Sequence, residues 1–338
     1  MTTVDELATE PAAPRRRRVT SLEVLCAVLV LAVAVQSWLG RVLDVPALRT
    51  GATVFVAICV QAMPFLVLGV LISGAIAAFV PARLLRRVLP RNTTLAVGVA
   101  GLAGAALPGC ECASVPVARR LMQQGVPPAV AVTFLLAAPA INPVVLVATA
   151  VAFPTAPRMV LARLLASLLT AVVMGLVWAR SGRPEWIAER ALRALPAVRG
   201  GSRWAVFTET ARGDLADAGG FLVIGGLTAA TLTVLVPASW YGAVDRNGLL
   251  AIPVLAVLAV VLAVCSEADA FVAASLSALP LLPRLVFLVV GPAVDVKLIA
   301  LHVGTFGRAF AVRFVPAAFV IAVGCAVLVG LCVFGGYR

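Results

Sequence analysis

Apolar runs dominate the chain and are separated by short polar stretches rich in arginine. Those near residues 20–43, 52–80, 129–153, 158–179, 217–237, 284–305 and 309–334 match the roughly 20 residues that a helix needs to cross a ~30 Å hydrocarbon core. Two more segments, 93–123 and 249–280, are equally apolar but interrupted. The pattern predicts an all-α integral membrane protein.

The runs also recur. Phe65-Leu-Val-Leu-Gly69 to Pro81 returns as Phe221-Leu-Val-Ile-Gly225 to Pro237, Pro-Gly-Cys110-Glu-Cys112-Ala as Ala-Val-Cys265-Ser-Glu267-Ala, and Phe134-Leu-Leu-Ala-Ala-Pro139-Ala-Ile-Asn142 as Phe287-Leu-Val-Val-Gly-Pro292-Ala-Val-Asp295. The offsets are 156, 155 and 153 residues. A near-constant offset through three blocks marks a duplicated membrane unit, of the kind that frames a transport site between its copies. The reading divides the chain into a cytoplasmic tail (1–19), a first transmembrane helix (20–47), repeat 1 (48–180), a cytoplasmic linker (181–213) and repeat 2 (214–338).

Composition agrees with a polytopic membrane protein: 62% hydrophobic residues, 12% charged and a mean hydropathy of +1.08 leave too little polar surface to cover a soluble domain. The net charge of +12 comes almost wholly from arginine clusters between spans, which reads as topology control at the lipid surface and not as nucleic-acid binding. The seven cysteines lie inside apolar segments, so a disulfide scaffold is not expected. Arg15 to Arg18 before an apolar run imitates a signal peptide, but the run continues to about Leu43 and reads as a membrane helix.

Arginine placement also discriminates between crossings and re-entrant hairpins. With both interrupted segments re-entrant and the tail inside, Arg83, Arg86, Arg87, Arg91, Arg119, Arg120, the whole stretch from Arg180 to Arg212, and Arg308 with Arg313 all fall inside. A full crossing of 93–123 puts Arg119, Arg120 and the linker arginines outside, against the positive-inside bias. Each copy then has three full crossings, an odd number, and the expected fold is an inverted-topology repeat with two broken or re-entrant hairpins. Pro108-Gly109, Pro139 and Gly291-Pro292 are the expected breaks.

Ionisable residues inside apolar spans cost a few kcal/mol each and mark function by default. Glu111 belongs to the first copy; Glu267, Asp269, Asp295, Lys297 and His302 belong to the second, and Asn142 aligns with Asp295. Lys297 is the only lysine and needs a carboxylate partner from Glu267, Asp269 or Asp295, either as a fixed ion pair or as a coupling pair that changes partner. His302, the only histidine, reads as a proton relay or a helix cap. Asn142 reads as satisfying freed backbone more than as contacting substrate. Half-helix N-termini at the midplane suit an anion or carboxylate.

Cys110-Glu111-Cys112 is the sharpest motif. Two thiols at i and i+2 can hold one soft cation or trivalent metalloid, and Cys265 arrives at the same break in the second copy. Cys110 and Cys112 are therefore the candidate metal ligands. Cys110, Cys112, Cys265 and Glu267 make a closed set of four only if the hairpins meet. Cys26, Cys59, Cys325 and Cys332 read as packing residues.

The run Pro108-Gly-Cys110-Glu-Cys112-Ala-Ser-Val-Pro116, then Gly125-Val-Pro-Pro, then Phe134 to Pro143-Val, resembles the bacterial predicted-permease family that includes the ArsP organoarsenical efflux permeases, over roughly residues 50–335. The resemblance implies a permease of the bacterial cytoplasmic membrane and, for the ArsP branch, export of trivalent organoarsenicals through thiol contacts carried over to Cys110 and Cys112. Glu111 stands where the family usually looks like Cys-Ser-Cys, and its charge favours a cation. Ala137 to Val144 resembles a wider branch, whose members look like partners of a small membrane-associated subunit and are linked to metal homeostasis.

The leading expectation is a secondary transporter without a cofactor, exporting a small thiophilic solute or metal ion. Cys110, Glu111, Cys112, Cys265, Pro139 and Asn142 are expected at the binding site, and Glu267, Asp269, Asp295, Lys297 and His302 in coupling. No Gly-x4-Gly-Lys-Ser/Thr or His-Glu-x-x-His pattern occurs, which speaks against an internal ATPase and a zinc protease. A membrane thiol oxidoreductase and a channel or assembly component, docked through the linker, are the alternatives.

Overall fold

Apolar composition without water to satisfy the backbone leaves the helix as the economical solution, and the described residues form helices and no strands. The computed structural model describes residues 46–90, 92–107, 110–192, 202–235 and 248–335. The expected tail and first transmembrane helix up to residue 45, the Pro108-Gly109 break and the middle of the linker lie outside the described residues. The chain divides at Leu48 into two units, and the fold described here is that of the second.

The first copy comprises α1 (Pro46–Phe79), the short α2 (Ala82–Val88), α3 (Thr93–Ala103) with a terminal 3-10 turn (Gly104–Ala106), α4 (Glu111–Gln123), α5 (Pro128–Ile141), α6 (Pro143–Ala152) and α7 (Arg158–Ser181). A 3-10 turn (Pro184–Trp186) and α8 (Glu189–Leu192) follow. The second copy repeats the order with α9 (Arg203–Leu235), α10 (Gly248–Leu262), α11 (Asp269–Ser275), α12 (Leu281–Ala293), α13 (Val296–Phe306) and α14 (Arg308–Phe334). Among the described residues six spans are long and apolar enough to cross a membrane: α1, α5–α6, α7, α9, α12–α13 and α14.

Contacts along the helices establish their directions. Gly175, late in α7, and Val97, early in α3, both lie against the level of Thr133 near the start of α5, while Gly104 at the end of α3 lies on Ala137. Thus α7 runs antiparallel to α5 and α3 runs parallel to it. After α4, the turn at Gln124–Pro127, with Gly125 at φ +86°, leads straight into α5. Segment 93–123 therefore enters and leaves through one face, as a re-entrant hairpin.

At the opposite face the start of α7 shares a cleft with the start of α12 and the end of α14. The start of α14 returns to the first face, where Phe310 packs on Trp178 of α7 at 5.0 Å. Gly74 of α1 meets Phe207 of α9, and Gly51 meets Val234, so these two helices are antiparallel. α9, α12 and α14 are therefore reversed relative to α1, α5 and α7, which is the inverted repeat expected from the arginines. Arg87, Arg180, Arg183, Arg203 and Arg308 cluster at one face; Arg49, Arg158 and Arg284 lie towards the other.

The broken spans lie inside and the intact ones outside: 72% of the apolar 18-residue centre of α5–α6 and 78% of that of α12–α13 is buried, against 28% for α1 and for α14. That placement follows from the need to keep interrupted backbone away from lipid. The breaks come three residues after Pro139 and Pro292, which remain inside α5 and α12. In the first copy the interruption coincides with Pro143, which has no N–H to donate. Asn142 compensates: its Nδ2 donates to Ala138 O at 3.2 Å and its Oδ1 accepts from Val145 N at 2.9 Å. In the second copy Asp295 Oδ1 accepts from Leu298 N at 2.6 Å, at the same offset of 153. Each N-cap is worth about 1 kcal/mol.

Two boundaries differ from the sequence reading. α9 begins at Arg203, inside the stretch expected as linker, because Asp214 is buried and paired within the protein. The first part of that linker is also not a free connector. Ala188 N donates to Phe306 O at 2.7 Å, Trp186 packs on Trp178, and the Arg313 guanidinium lies 4.8 Å above the Trp186 ring.

Single cysteines at Gln124 and Ser277, which precede α5 and α12, will react with a membrane-impermeant maleimide from opposite sides of sealed vesicles freed of Cys332. Labelling of both from one side contradicts the inversion.

Candidate functional site

The tips of the two interrupted segments meet. Cys110 is the N-cap of α4 and Glu111 its first residue; Cys265 and Ser266 stand before α11. Cys110 and Cys265, related by the repeat, place their thiols within hydrogen-bonding reach, and the Cys112 thiol is also within reach of Cys110. Ser266 Oγ donates to Glu111 Oε2 at 3.3 Å, and these two positions are also 155 residues apart. The pseudo-two-fold axis thus passes between residues of common origin. Of the four expected positions, the thiols of Cys110, Cys112 and Cys265 are brought together, and the Glu267 carboxylate makes no hydrogen bond among the described residues.

Lys297 ties this meeting point. Its Nζ lies 2.5 Å from Glu111 Oε1 and 3.3 Å from Asp295 Oδ2, and it donates to Ala263 O at 2.9 Å and towards Cys265 Sγ at 3.6 Å. Lys297, Glu111 and Asp295 are each at most 1% exposed. Ala263 has φ +47°, an uncommon left-handed conformation for a residue with a side chain, and its carbonyl faces the ammonium. Such conformations persist where surrounding contacts over-determine them.

A second cation was missed in the sequence. Arg163, fully buried in α7 and read there as part of an ordinary span, pairs with Asp269 Oδ2 at 2.7 Å. It also donates to Thr149 Oγ1 at 2.8 Å and to Ser266 O at 3.1 Å. One arginine of the first copy thereby anchors the tip of the second. The signal for it was its isolation five residues inside α7, away from the arginine clusters at the faces.

Nearer the arginine-rich face, Arg120 and Asp214 form a third cross-copy pair at 3.2 Å. Ser73 Oγ donates to Asp214 Oδ2 at 2.5 Å, and Arg119 lies 3.4 Å from Asp217. Arg120 is 4% exposed, so it belongs to the interior and not to the lipid surface where the sequence reading placed it. Ion pairs therefore cross the seam between the copies in two regions: Lys297–Glu111 and Arg163–Asp269 at the tips, and Arg119 and Arg120 with Asp214 and Asp217 nearer the arginine-rich face.

Among the acids at the tips, Glu267 stands apart. Its carboxylate oxygens are buried without a hydrogen-bond partner among the described residues, within electrostatic reach of Glu111, Lys297 and Arg163. Asn142 and Asp295 cap the starts of α6 and α13 with their side chains, while Glu111 and Asp269 stand in the first turns of α4 and α11, which have no side-chain cap bond. Pro139 is buried within α5, and Asn142 serves the helix break.

His302 does not join the cluster. It is 2% exposed and is surrounded by Phe306, Phe310 and Phe314, with ring centroids 5.2–6.1 Å away. Among the described residues, no group of three or more His, Cys, Asp or Glu side chains is arranged to hold a metal ion; the Lys297 ammonium lies among the acids and Cys265 instead.

Close packing brings the elements together. Gly69 of α1 lies on α4 so tightly that a Cβ there would stand 2.5 Å from Ala113 Cα. Its repeat mate Gly225 in α9 lies on α13, where a Cβ would stand 2.7 Å from Lys297 Cα. The duplicated Phe-Leu-Val-x-Gly block thus seats a long helix against a site-bearing half-helix in each copy.

Removing Lys297 leaves buried carboxylates without their counter-ion, so Lys297→Met will destabilise the protein by about 3–5 kcal/mol. The double variant Lys297→Met/Glu111→Gln will recover part of that loss. Thermal unfolding of the purified variants measures both; independent, additive losses contradict a direct pair.

Residues 47–331 match the ArsP_1 family of predicted permeases. A putative two-component membrane permease complex subunit of Streptococcus mutans is 31% identical over 82% of this chain and 94% of its own length. The UPF0718 protein YcgR of Bacillus subtilis is 32% identical over 82% of this chain and 96% of its own length. No solved structure matches the chain significantly. An all-α membrane protein with six candidate spans among its described residues, matched along nearly all of their length, the chain belongs to the ArsP_1 predicted permease family.

Proposed function

We propose that the chain is a secondary transporter of the bacterial cytoplasmic membrane, with its arginine-rich face and N-terminus in the cytoplasm, and that it exports a small thiophilic solute such as a trivalent organoarsenical. The observation that carries this reading is the gathering of Cys110, Cys112 and Cys265 where two inverted hairpins meet beside Lys297. The arginine bias between the faces supports the orientation.

Thiol binding of a trivalent methylarsenical needs no oxidant: two thiols replace its two hydroxyls, two As–S bonds form, and two waters leave. A cargo that engages Cys265 competes with Lys297 for that sulfur. Lys297 then relies on Glu111 and Asp295, and the exchange leaves the net charge of the site unchanged. The cross-copy ion pairs are the natural points at which alternating access opens one face while the other stays closed.

A metal-homeostasis subunit acting with a partner is the second reading. It is favoured by the name of the Streptococcus relative, and by Glu111, whose charge suits a cation.

Cell-associated arsenic and zinc, measured in a host lacking exporters of both, test these readings. Selective loss of methylarsenite, abolished by Cys110→Ser/Cys112→Ser, is the expected result. A change in zinc alone favours the second reading, and no change in either contradicts transport of these cargoes by the chain alone.

A further inference from the structure

Two turns along α4 from Cys112, roughly 12 Å towards the arginine-rich face, Arg120 meets the second copy. Its guanidinium reaches Asp214 of α9 at 3.2 Å, Ser73 of α1 at 3.4 Å and Gln123 at 2.5 Å. Ser73 donates in turn to Asp214 at 2.5 Å, and all of Arg120, Asp214 and Ser73 are buried. Beside them Pro116, Arg119, Asp214, Asp217, Ala218 and Thr305 line a crevice of only about 10 Å3, room for a single water. The thiols of Cys110, Cys112 and Cys265, at most 1% exposed, are sealed from this face.

The duplication provides a comparison within the molecule. At the offsets of 156 and 155 residues, Asp214 corresponds to Ile58, Ser73 to Ala229 and Arg120 to Ser275. Ile58 and Ala229 lie together with Ala263 in a small apolar cluster flanked by Val54 and Val296. Ser275 is exposed, and its Oγ donates to Val272 O at 2.7 Å within its own helix. The seam between α1 and α9 is thus closed by an ion pair and a hydroxyl towards one face, and by apolar side chains towards the other. The two closures respond differently to water. Wetting costs the apolar cluster its burial, whereas it hydrates a separated guanidinium and carboxylate.

We propose that Arg120, Asp214 and Ser73 are the gate of the arginine-rich face, and that their separation admits cargo from that face to the thiols. This gate presupposes the transporter reading above and names the contacts that open one face and not the other. Removing one charge strands its partner in the closed state only, because an open face hydrates the survivor. Loss of Asp214 therefore shifts the protein towards opening at the arginine-rich face. Apolar side chains at both positions restore a closure of the kind found at Ile58 and Ala229. Arg119, 3.7 Å from Asp214 and 3.4 Å from the exposed Asp217, forms the outer rim of the gate.

Sealed vesicles of the full chain, with Ser202→Cys marking the arginine-rich face, are treated with a small membrane-impermeant methanethiosulfonate, and labelling rates at Cys110, Cys112 and Cys265 are read by peptide mass spectrometry. Asp214→Asn is expected to accelerate their labelling from the arginine-rich face by about tenfold or more, with labelling from the opposite face no faster than in the wild type. Arg120→Met/Asp214→Leu is expected to return the rate to that of the wild type. Cys325, buried in α14, reports unfolding. Acceleration at Cys325 as well, or equal acceleration from both faces, marks a structural loss and overturns the gate. An unchanged rate in Asp214→Asn, or a rate that stays high in the double variant, does the same. No cargo enters the assay, so a gate that opens in a protein moving neither methylarsenite nor zinc contradicts the cargo reading and leaves the gate standing.

Discussion

Interrupted helices and buried charges at membrane depth must be satisfied by the protein itself, because hydrocarbon offers no hydrogen bonds. The rest of the structure depends on how that constraint is met. The four intact helices α1, α7, α9 and α14 enclose the broken spans, and side-chain caps at Asn142 and Asp295 stand in for missing backbone bonds. Lys297 and Arg163 then neutralise the carboxylates that the half-helix starts attract. Remove either cation and the constraint is violated where it is most costly.

Duplication supplied symmetry, and divergence supplied chemistry. Cys110 and Cys265 still meet as equivalents at the axis. Glu111 meets Ser266, so an acid in one copy has a hydroxyl as its counterpart. Cys112 corresponds to Glu267, and Asn142 to Asp295. The lysine has no counterpart, since Lys297 aligns with Val144; Arg163, five residues into α7, corresponds to Arg313, five residues into α14, but Arg163 is buried and Arg313 exposed. A near-symmetric frame thus holds an asymmetric set of charges, as a site that discriminates its two faces requires.

Much of this was legible in the sequence. Hydropathy gave the spans, the constant offset gave the duplication, and arginine bias gave the inversion. The meeting of the tips was foreseeable only as a condition, since no local signal states how two hairpins dock. Partners separated by more than 90 residues stayed hidden: Arg163 and Arg120 looked like members of the topological arginine set, and Asp214 like part of a linker. Their burial comes from tertiary pairing, which periodicity does not encode. The proline rule located the breaks to within a turn; capping by Asn142 and Asp295 moved them three residues onward. His302 was drawn towards the acids by its singularity in the sequence, whereas an aromatic pocket holds it on another side of α13.

The docking of inverted hairpin tips is the claim on which the site rests, and a cross-link measures it most directly. In native membranes, a variant retaining only Cys110 and Cys265 would be treated with a short bifunctional thiol reagent and its peptides identified by mass spectrometry. The structure predicts a 110–265 cross-link within one chain. Single modification of each thiol, with no cross-linked peptide at complete reaction, would contradict it.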